Sequence, residues 1–271
     1  MIDKNYRDNT IVNDDCLVYL KDQVEDDIFD LVIADPPYYT MNNPNITFKK
    51  RKDMVRDSKF DLFPSLKDYL GFTQQWIELV SQKAKKDASI YIFCAIQYVS
   101  YFIAYLKKFD WEYKGIITWI KTNPAPKVRK KGYVSATEHI LFMTRGNFVF
   151  NFTKEEKMNN YITTSICMRP ERLLDKTNLN KKGKPTTLHP TEKPEDIITP
   201  LVLNSSNPDQ LILDPFAGTG KTNYVAKKWG RYSLGIELNP KYAIAGQERL
   251  SKITPMQYKS SNLGFMIKPK T

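Results

Sequence analysis

Residues 211–220 of this 271-residue chain read Leu-Ile-Leu-Asp-Pro-Phe-Ala-Gly-Thr-Gly. The apolar run, the Gly-x-Gly turn and the helical period over residues 221–229 predict a strand, a tight turn and a helix. A turn of this kind brings backbone N–H groups close to a ligand. The next predicted strand, residues 233–237, ends in Glu237, whose carboxylate is placed to accept the hydroxyl protons of a ribose. The stretch therefore predicts an α/β fold that binds a nucleoside.

Two residues near this turn argue against two common nucleotide ligands. A phosphate-binding loop needs a glycine where Pro215 stands, and a dinucleotide-binding turn needs a third glycine where Asn223 stands. Pro215 therefore also argues against a nucleotide-hydrolysing protein. S-adenosylmethionine carries a ribose but no phosphate and needs fewer glycines, so the turn favours it as the cofactor.

Outward from this turn, apolar runs alternate with helical periods, which is typical of an α/β protein with a parallel sheet. Further strands are predicted over residues 10–13, 29–34, 89–94, 113–120 and 138–144, and helices over residues 65–86, 97–108, 194–204 and 241–253. Residues 39–63 are polar, basic and irregular, and a loop of this length predicts a mobile functional segment. Residues 146–188 have weak periodicity, and we expect them to form an insertion outside the sheet.

The composition excludes several classes of protein. It is 41% hydrophobic and 26% charged, which is an ordinary globular balance and not that of a disordered chain. Three cysteines are too few for a disulfide scaffold, and their odd number fits a reducing compartment. Residues 1–13 are mixed polar, with no basic segment before an apolar run, so we expect no signal peptide. The longest uncharged stretch, residues 88–106, is too polar for us to expect a membrane span. We expect a soluble, cytoplasmic protein with no membrane partner.

The basic charge predicts a polyanion as partner. The chain has 41 Lys+Arg against 30 Asp+Glu, a formal net charge of +11, and a basic surface releases counterions when it binds phosphates. Two clusters in predicted loops carry much of this charge: Lys49, Lys50, Arg51 and Lys52, and Lys127, Arg129, Lys130 and Lys131. We expect both clusters to contact a nucleic acid, and charge alone does not separate DNA from RNA.

A second motif, Asp35-Pro36-Pro37-Tyr38, follows a predicted buried strand. Ligands of open α/β sheets bind outside the carboxyl ends of the strands. The motif suits methylation of an exocyclic base amine, whose lone pair is delocalised into the ring. The Asp35 carboxylate and the Pro36 carbonyl can accept the two amine N–H bonds and free that lone pair. The Tyr38 ring can stack on the base, which must leave the duplex to reach such a site.

Together, the two motifs resemble the signature motifs of the DNA amino-methyltransferases. Their order along the chain, with residues 35–38 before residues 214–220, resembles the β-group of circularly permuted enzymes. His189-Pro190-Thr191-Glu192-Lys193-Pro194 resembles the family segment that packs against the methionine part of the cofactor, and Asp14-Asp15-Cys16 resembles the turn beside its adenine. Residues 119–124 and 138–142 also resemble family segments, so the resemblance covers nearly the whole chain.

This resemblance implies a Rossmann-like S-adenosylmethionine-dependent methyltransferase fold with a seven-stranded, mostly parallel sheet that contains one antiparallel strand. Residues 1–271 would form a single domain, with residues 39–63 as a DNA-contacting loop and residues 146–188 as a small target-recognition insertion. The implied catalytic residues are Asp35, Pro36, Pro37 and Tyr38. The implied cofactor-binding residues are Asp15, Cys16, Asp35, His189, Thr191, Lys193, Asp214, Pro215, Phe216, Ala217, Gly218, Thr219, Gly220, Glu237 and Asn239.

The reaction that we expect is direct methyl transfer to the N6 amine of a flipped adenine in double-stranded DNA. An aspartate at position 35 favours adenine in this family and a serine would favour cytosine, so cytosine-N4 methylation is the nearest alternative. A non-catalytic DNA- or cofactor-binding subunit is an alternative of another class, which the intact Asp35 and Gly218–Gly220 turn argue against. No metal site is predicted, since neither histidine has a cluster of ligands around it. The sequence leaves open whether the enzyme belongs to a restriction-modification system with a partner endonuclease or is an orphan modification enzyme. It also leaves open whether the protein forms a homodimer.

Overall fold

The computed structural model describes residues 8–39, 63–126, 130–155, 158–168, 172–180 and 183–254. Its strands are β1 (Thr10–Asn13), β2 (Phe29–Ala34), β3 (Ala84–Cys94), β4 (Glu112–Lys121), β5 (Thr137–Thr144), β6 (Tyr161–Thr164), β7 (Leu174–Leu179), β8 (Pro185–Thr187), β9 (Leu211–Asp214) and β10 (Tyr232–Glu237). Its α-helices are α1 (Cys16–Gln23), α2 (Leu66–Lys83), α3 (Val99–Leu106), α4 (Glu195–Ser205), α5 (Lys221–Lys228) and α6 (Pro240–Ser251). Two 3-10 turns, Ile96–Tyr98 and Lys107–Phe109, flank α3.

Eight strands form one sheet in the order β1-β10-β9-β2-β3-β5-β4-β6. The late strands β9 and β10 insert between β1 and β2, and all these neighbours pair in parallel. β5 is antiparallel to both of its neighbours, β3 and β4. The first residues of β5 therefore lie at the same edge of the sheet as the carboxyl ends of the other strands, and this edge carries the site described below.

The sheet corrects the expected strand number from seven to eight. The additional strand, β6, comes from the segment that we expected to lie outside the sheet, and it pairs in parallel with β4. The Trp119 indole N–H on β4 donates to Thr164 Oγ1 at 2.8 Å, which fixes the end of β6. Four residues are too few to give a readable period, so the sequence does not reveal this strand. β7 and β8 form a separate two-stranded sheet.

The central strand β2 is buried on both faces, as expected of a parallel strand covered by helices. Val32 packs in a core with Trp76 of α2, and Leu31 packs in a second core with Ile197 of α4. The helix that we predicted over residues 65–86 ends at Lys83, because β3 begins at once and pairs Ala84 with Phe29. The three cysteines are free and buried.

Across the ranges that the structure describes, no helix is long and apolar enough to cross a membrane.

Candidate functional site

A cavity of about 520 Å³ opens at the carboxyl edge of the sheet. The segments that follow β1, β2, β9 and β10, the start of β5 and the segment before α4 all contribute to its lining. The four residues of the Asp35–Tyr38 motif line this cavity together with Asp214–Thr219. The two motifs, which lie far apart in sequence, therefore meet around one space, whose volume is in the range of small-molecule sites.

The Asp35 carboxylate already has two hydrogen-bond donors. The Tyr38 hydroxyl donates to Oδ1 at 2.9 Å, and the Lys193 ammonium donates to Oδ2 at 2.6 Å. The Asp35 side chain keeps 27% of its surface accessible, whereas that of Lys193 keeps 8%. The ion pair therefore lies at the wall of the cavity, with the carboxylate as its more accessible member.

A second acid and a second lysine extend this pair into a chain of alternating charges. Glu138 Oε2 lies 3.5 Å from the Lys193 ammonium and 3.4 Å from the Tyr38 hydroxyl. The other oxygen of Glu138 accepts from Lys121 at 2.6 Å. Two carboxylates and two ammonium groups thus form the sequence Asp35, Lys193, Glu138, Lys121, and such charges stabilise one another where water is largely excluded.

The surroundings shift the pKa values within this chain of charges in different directions. Burial raises the pKa of Asp35, although Lys193 opposes this shift. Burial also disfavours the charged form of Glu138, but the ammonium groups of Lys193 and Lys121 outweigh it and lower the pKa of Glu138. The pKa of Lys193 is raised, since Asp35 and Glu138 together outweigh the cost of burying the ammonium. Glu138 is therefore the more firmly ionised of the two acids.

The glycine turn forms another part of the cavity wall. Gly218 and Gly220 have φ values of 53° and 71°, in the left-handed region that favours glycine. The Gly218 N–H donates to Glu237 Oε2 at 2.8 Å, and the Asn239 N–H donates to Oε1 at 2.7 Å. Glu237 thus braces the turn with one lone pair on each oxygen, and the described residues give neither oxygen a second donor. Burial raises the pKa of Glu237.

Asp214 anchors the start of the same turn. Its Oδ1 accepts from the Phe216 N–H at 3.1 Å, and the Thr222 hydroxyl is also hydrogen-bonded to the carboxyl group. Burial raises the pKa of Asp214 to about 7, and these hydrogen bonds offset only part of that shift. The carboxyl group therefore holds the turn from within the protein.

The segment before α4 packs over the glycine turn. A Cβ added at Gly218 would lie 3.5 Å from His189 Nε2, so the imidazole rests against the turn. The Thr191 N–H donates to His189 Nδ1 at 3.3 Å. Burial, with the nearby charges of Lys193 and Arg172, lowers the pKa of His189 to about 3. The imidazole is therefore neutral and accepts a hydrogen bond through Nδ1.

Most residues that the sequence analysis assigned to cofactor binding line the cavity: Asp15, Cys16, Asp35, His189, Thr191, Lys193, Asp214, Pro215, Phe216, Ala217, Gly218, Thr219 and Glu237. Two of them lie behind the lining. A Cβ at Gly220 would collide with the Ile11 side chain and lie 3.4 Å from the Gly246 Cα, so this glycine allows close packing. Asn239 caps α6, where its Oδ1 accepts from the Lys241 N–H at 3.0 Å.

The residues assigned to DNA contact are only partly described. Lys130 and Lys131 are exposed in the connection between β4 and β5. The other six, Lys49, Lys50, Arg51, Lys52, Lys127 and Arg129, fall outside the described residues. So does the expected DNA-contacting loop, apart from its ends, Tyr39 and Phe63.

The sequence analysis missed Glu138 and Lys121 as members of the site. The available signal was topological: an antiparallel strand beside parallel ones brings its first residues to the carboxyl edge, and Glu138 is the second residue of β5. In the described ranges, no group of three or more His, Cys, Asp or Glu side chains could hold a metal ion.

Comparison with known proteins identifies the family. A model of DNA methylases of the N6/N4 type matches residues 29–248. The type II methyltransferase M.HinfI of Haemophilus influenzae is 30% identical over 282 residues, covering 99% of this chain and 76% of that protein. The type II methyltransferase M.HpaI of Haemophilus parainfluenzae is 30% identical over 238 residues, covering 84% of this chain and 69% of that protein.

Two solved structures share the mixed α/β fold. An M1.HpyAVI–SAM complex aligns with a TM-score of 0.63 at 23% identity, over 89% of this chain and 98% of that one. The PvuII DNA methyltransferase, described as cytosine-N4-specific, aligns with a TM-score of 0.67 at 16% identity, over 93% of this chain and 89% of that one. The two alignments confirm the predicted mixed α/β methyltransferase fold. The family match shows that the chain belongs to the N6/N4 DNA methylases.

Proposed function

We propose that this DNA methylase transfers a methyl group from S-adenosylmethionine to the exocyclic N6 amine of an adenine that has left the DNA duplex. The observation that carries the proposal is the single cavity at which the Asp35 carboxylate and the Gly218–Gly220 turn converge. An amine acceptor and a nucleoside-binding turn are the two parts that such a reaction requires.

S-adenosylmethionine is the cofactor, and the donor set of the cavity fits it. The free lone pairs of Glu237 suit the two hydroxyl groups of a ribose. The glycine turn leaves room for close backbone approach, and residues 189–193 would face the methionine part. Asp15 and Cys16 would lie beside the adenine. When bound, the cofactor supplies an activated methyl group, so the main contribution of the protein is to position the reactants. Well-oriented reactants reach effective molarities of roughly 10⁵–10⁸ M.

The residues at the end of β2 orient the amine. Asp35 accepts one amine N–H and the Pro36 carbonyl accepts the other, which draws the nitrogen toward tetrahedral geometry and frees its lone pair. Proline has no N–H, so the backbone of Pro36 presents only an acceptor to the amine. After transfer, the surplus proton leaves through Asp35 or through water. Pro37 holds the backbone extended, and the Tyr38 ring offers a face on which the base can stack.

The choice of adenine rests on the aspartate at position 35, as in the sequence analysis. Cytosine-N4 methylation is the second candidate, because PvuII DNA methyltransferase, which has the same fold, is described as cytosine-N4-specific. Both amines are amidine-like, and the same acceptors would serve either base.

The proposal extends to the biological setting. M.HinfI and M.HpaI are named type II methyltransferases, which supports a role in a restriction-modification system with a partner endonuclease. The motif order supports the permuted β-group. Residues 146–188 would contribute to target recognition and residues 39–63 to DNA contact, together with the two basic clusters. The expected location is the cytoplasm, and a monomer and a homodimer are both compatible with the proposal.

The test is transfer of a labelled methyl group from S-adenosylmethionine to unmethylated duplex DNA, followed by nucleoside analysis of the product. Labelled N6-methyladenine is the expected result, and Asp35→Asn is the control, which should form it roughly 10²–10⁴-fold more slowly. Labelled N4-methylcytosine would overturn the choice of base but keep the chemistry. If the protein binds the cofactor but labels no base in duplex DNA, the proposed reaction is wrong.

A further inference from the structure

Both donors to Asp35 are shared with a second carboxylate. The Tyr38 hydroxyl lies 2.9 Å from Asp35 Oδ1 and 3.4 Å from Glu138 Oε2. The Lys193 ammonium lies 2.6 Å from Asp35 Oδ2 and 3.5 Å from the same Glu138 Oε2. Each donor is thus nearer to Asp35, but by less than 1 Å. A small movement of these two donors would transfer both hydrogen bonds from one acid to the other.

Glu138 itself is held in place. Its Oε1 accepts from Lys121 at 2.6 Å, which leaves Oε2 directed at Tyr38 and Lys193. Lys121 ends β4, and its backbone N–H donates to the Ala136 carbonyl just before β5 at 2.8 Å. The Glu138 carboxylate is therefore a fixed acceptor, and the donors are the groups that can move.

The ammonium of Lys193 has a surface along which to move. It lies 5.4 Å from the centroid of the Tyr38 ring and 5.0 Å from that of the Phe93 ring. Aromatic faces stabilise a cation without fixing its direction as a hydrogen bond does. Lys193 can therefore shift between the two carboxylates while it stays against both rings.

The proposed reaction creates a demand for such a shift. The substrate amine must donate an N–H to Asp35, but a cation already lies 2.6 Å from one carboxylate oxygen and a hydroxyl lies 2.9 Å from the other. The carboxylate has further lone pairs, but the positive charge of Lys193 repels the amine hydrogens and weakens the acceptor. Asp35 therefore accepts the amine N–H more readily when Tyr38 and Lys193 can turn to another acceptor nearby.

We infer that Glu138 is a positioning residue for methyl transfer, which receives the Tyr38 hydroxyl and the Lys193 ammonium when the substrate amine replaces them at Asp35. The inference rests on the proposed function. The two donors leave Asp35 and close on Glu138, one amine N–H forms a hydrogen bond to Asp35 in their place, and no covalent bond changes. The two acids and two lysines all stay within the cluster, so its total charge is constant through the exchange.

The charges around Asp35 give this exchange a signature in the pH profile. The facing groups are Tyr38, Lys193 on the segment before α4, Glu138 on β5, Cys94 on β3 and Asp214 on β9. The negative charge of Glu138 raises the pKa of Asp35, and the positive charge of Lys193 lowers it. Removing the charge of Glu138 should therefore move the acidic limb of the activity profile to lower pH, and removing Lys193 should move it to higher pH.

The test is Glu138→Gln, measured as the single-turnover rate of methyl transfer against pH with saturating DNA and cofactor. We expect the plateau rate to fall roughly 10- to 100-fold, because a misplaced reacting group costs rate on this scale. The acidic limb should move to lower pH, while the affinity for S-adenosylmethionine changes little. A purely structural defect would lower the rate without moving that limb.

Three further variants make the test decisive. Glu112→Gln is the matched control, since it removes the same group from an exposed Glu–Lys pair on β4, with Lys114 at 2.9 Å, and should match wild type. Glu138→Asp keeps the charge and should hold the acidic limb in place with part of the plateau restored. Lys193→Met should move the limb to higher pH.

The outcomes separate this inference from the proposed function. If the wild-type enzyme methylates DNA but Glu138→Gln has the same plateau rate or an unmoved acidic limb, the inference is wrong and the proposed function stands. A wild-type enzyme that methylates no DNA overturns the proposed function and the inference with it.

Discussion

β2 and β9 are neighbours in the sheet, and each leads into an Asp-Pro dipeptide at the same edge, but the two aspartates have different surroundings. Asp35 faces a lysine at 2.6 Å and stays 27% accessible at the cavity wall. Asp214 is 5% exposed and bonds to a hydroxyl group and a backbone N–H. The same dipeptide at the same edge thus serves as an accessible acceptor in one strand and as a buried anchor in the other. Neighbouring side chains, and not the motif alone, decide the role.

The same substitution at both strand ends should have very different effects. Asp35→Asn should lower the single-turnover rate of methyl transfer roughly 10²–10⁴-fold, the usual contribution of a positioned acid or base, because the amide loses both the charge and one acceptor oxygen. Asp214→Asn should keep most of that rate, since its group bonds to the turn. Titration calorimetry should find cofactor affinity largely unchanged in Asp35→Asn. Equal losses of rate in the two variants would contradict the division of roles.

A second prediction concerns the backbone turn that Asp214 anchors. Gly220→Ala and Gly183→Ala both place a Cβ at positive φ, +71° and +67°, but only at Gly220 does the Cβ meet other atoms within 4 Å. Gly183→Ala should lower the free energy of unfolding by about 1–2 kcal/mol from backbone strain alone. Gly220→Ala should cost about 1–3 kcal/mol more from overpacking against Ile11 and Gly246. Denaturant unfolding of both variants measures the difference, and equal costs would refute it.

A third prediction follows from the pKa of Asp214, about 7 in the folded protein against 3.8 ordinarily. Below pH 3.8 both the folded and the unfolded state hold the proton. Between pH 3.8 and about 7 the folded state keeps it while the unfolded state loses it. The contribution of Asp214 to the free energy of unfolding therefore falls as pH rises, by roughly 1.4 kcal/mol per pH unit, and levels off above that window.

Asp214→Asn has no such proton, so its stability relative to wild type should rise across this window. Denaturant midpoints of the two proteins at several pH values measure this. If the difference in stability between the two proteins is the same at every pH, the pKa of Asp214 lies near its ordinary value. Burial would then not distinguish Asp214 from Asp35.

The smallest expected effect is on DNA binding, and it compares lysine pairs at the two edges of the sheet. Replacing Lys130 and Lys131 by Gln should flatten the salt dependence of DNA binding, by about 0.9 in the log–log slope for each phosphate that is no longer neutralised. Lys107 and Lys108 are an equally exposed adjacent pair before β4, at the opposite edge, and their replacement should leave the slope unchanged. Equal slopes for the two double variants would place DNA elsewhere.

The sequence predicts the glycine turn well because its parts are contiguous. Asp214, Gly218 and Glu237 fall on a strand, its turn and the next strand, so local patterns reveal them together. Gly220 belongs to the same motif, but the structure places it behind the cavity lining, against Ile11 and Gly246. A glycine is required there both by its positive φ and by packing against Ile11, and a sequence does not say which demand it meets.

The arrangement around Asp35 is harder to predict because its partners are remote. Lys193 lies 158 residues away, and the sequence analysis assigned it to the cofactor site without predicting its ion pair with Asp35 at the cavity wall. Glu138 joins them only because β5 runs antiparallel. β6 was missed for a related reason, since a four-residue strand depends on its neighbour β4 more than on its own pattern.

The insertion of β9 and β10 between β1 and β2 also has a consequence during synthesis. The Gln210 side chain donates to Asp30 at 3.0 Å across 180 residues of chain. Contacts of such long range slow folding, and a strand edge that waits for its neighbour is open to wrong pairing. A ribosome-bound chain that ends before β9 therefore exposes one edge of β2. Chains with unpaired strand edges are prone to aggregate, and we expect this one to need chaperones. It also lacks the glycine turn, so a half-made protein has no means of marking DNA.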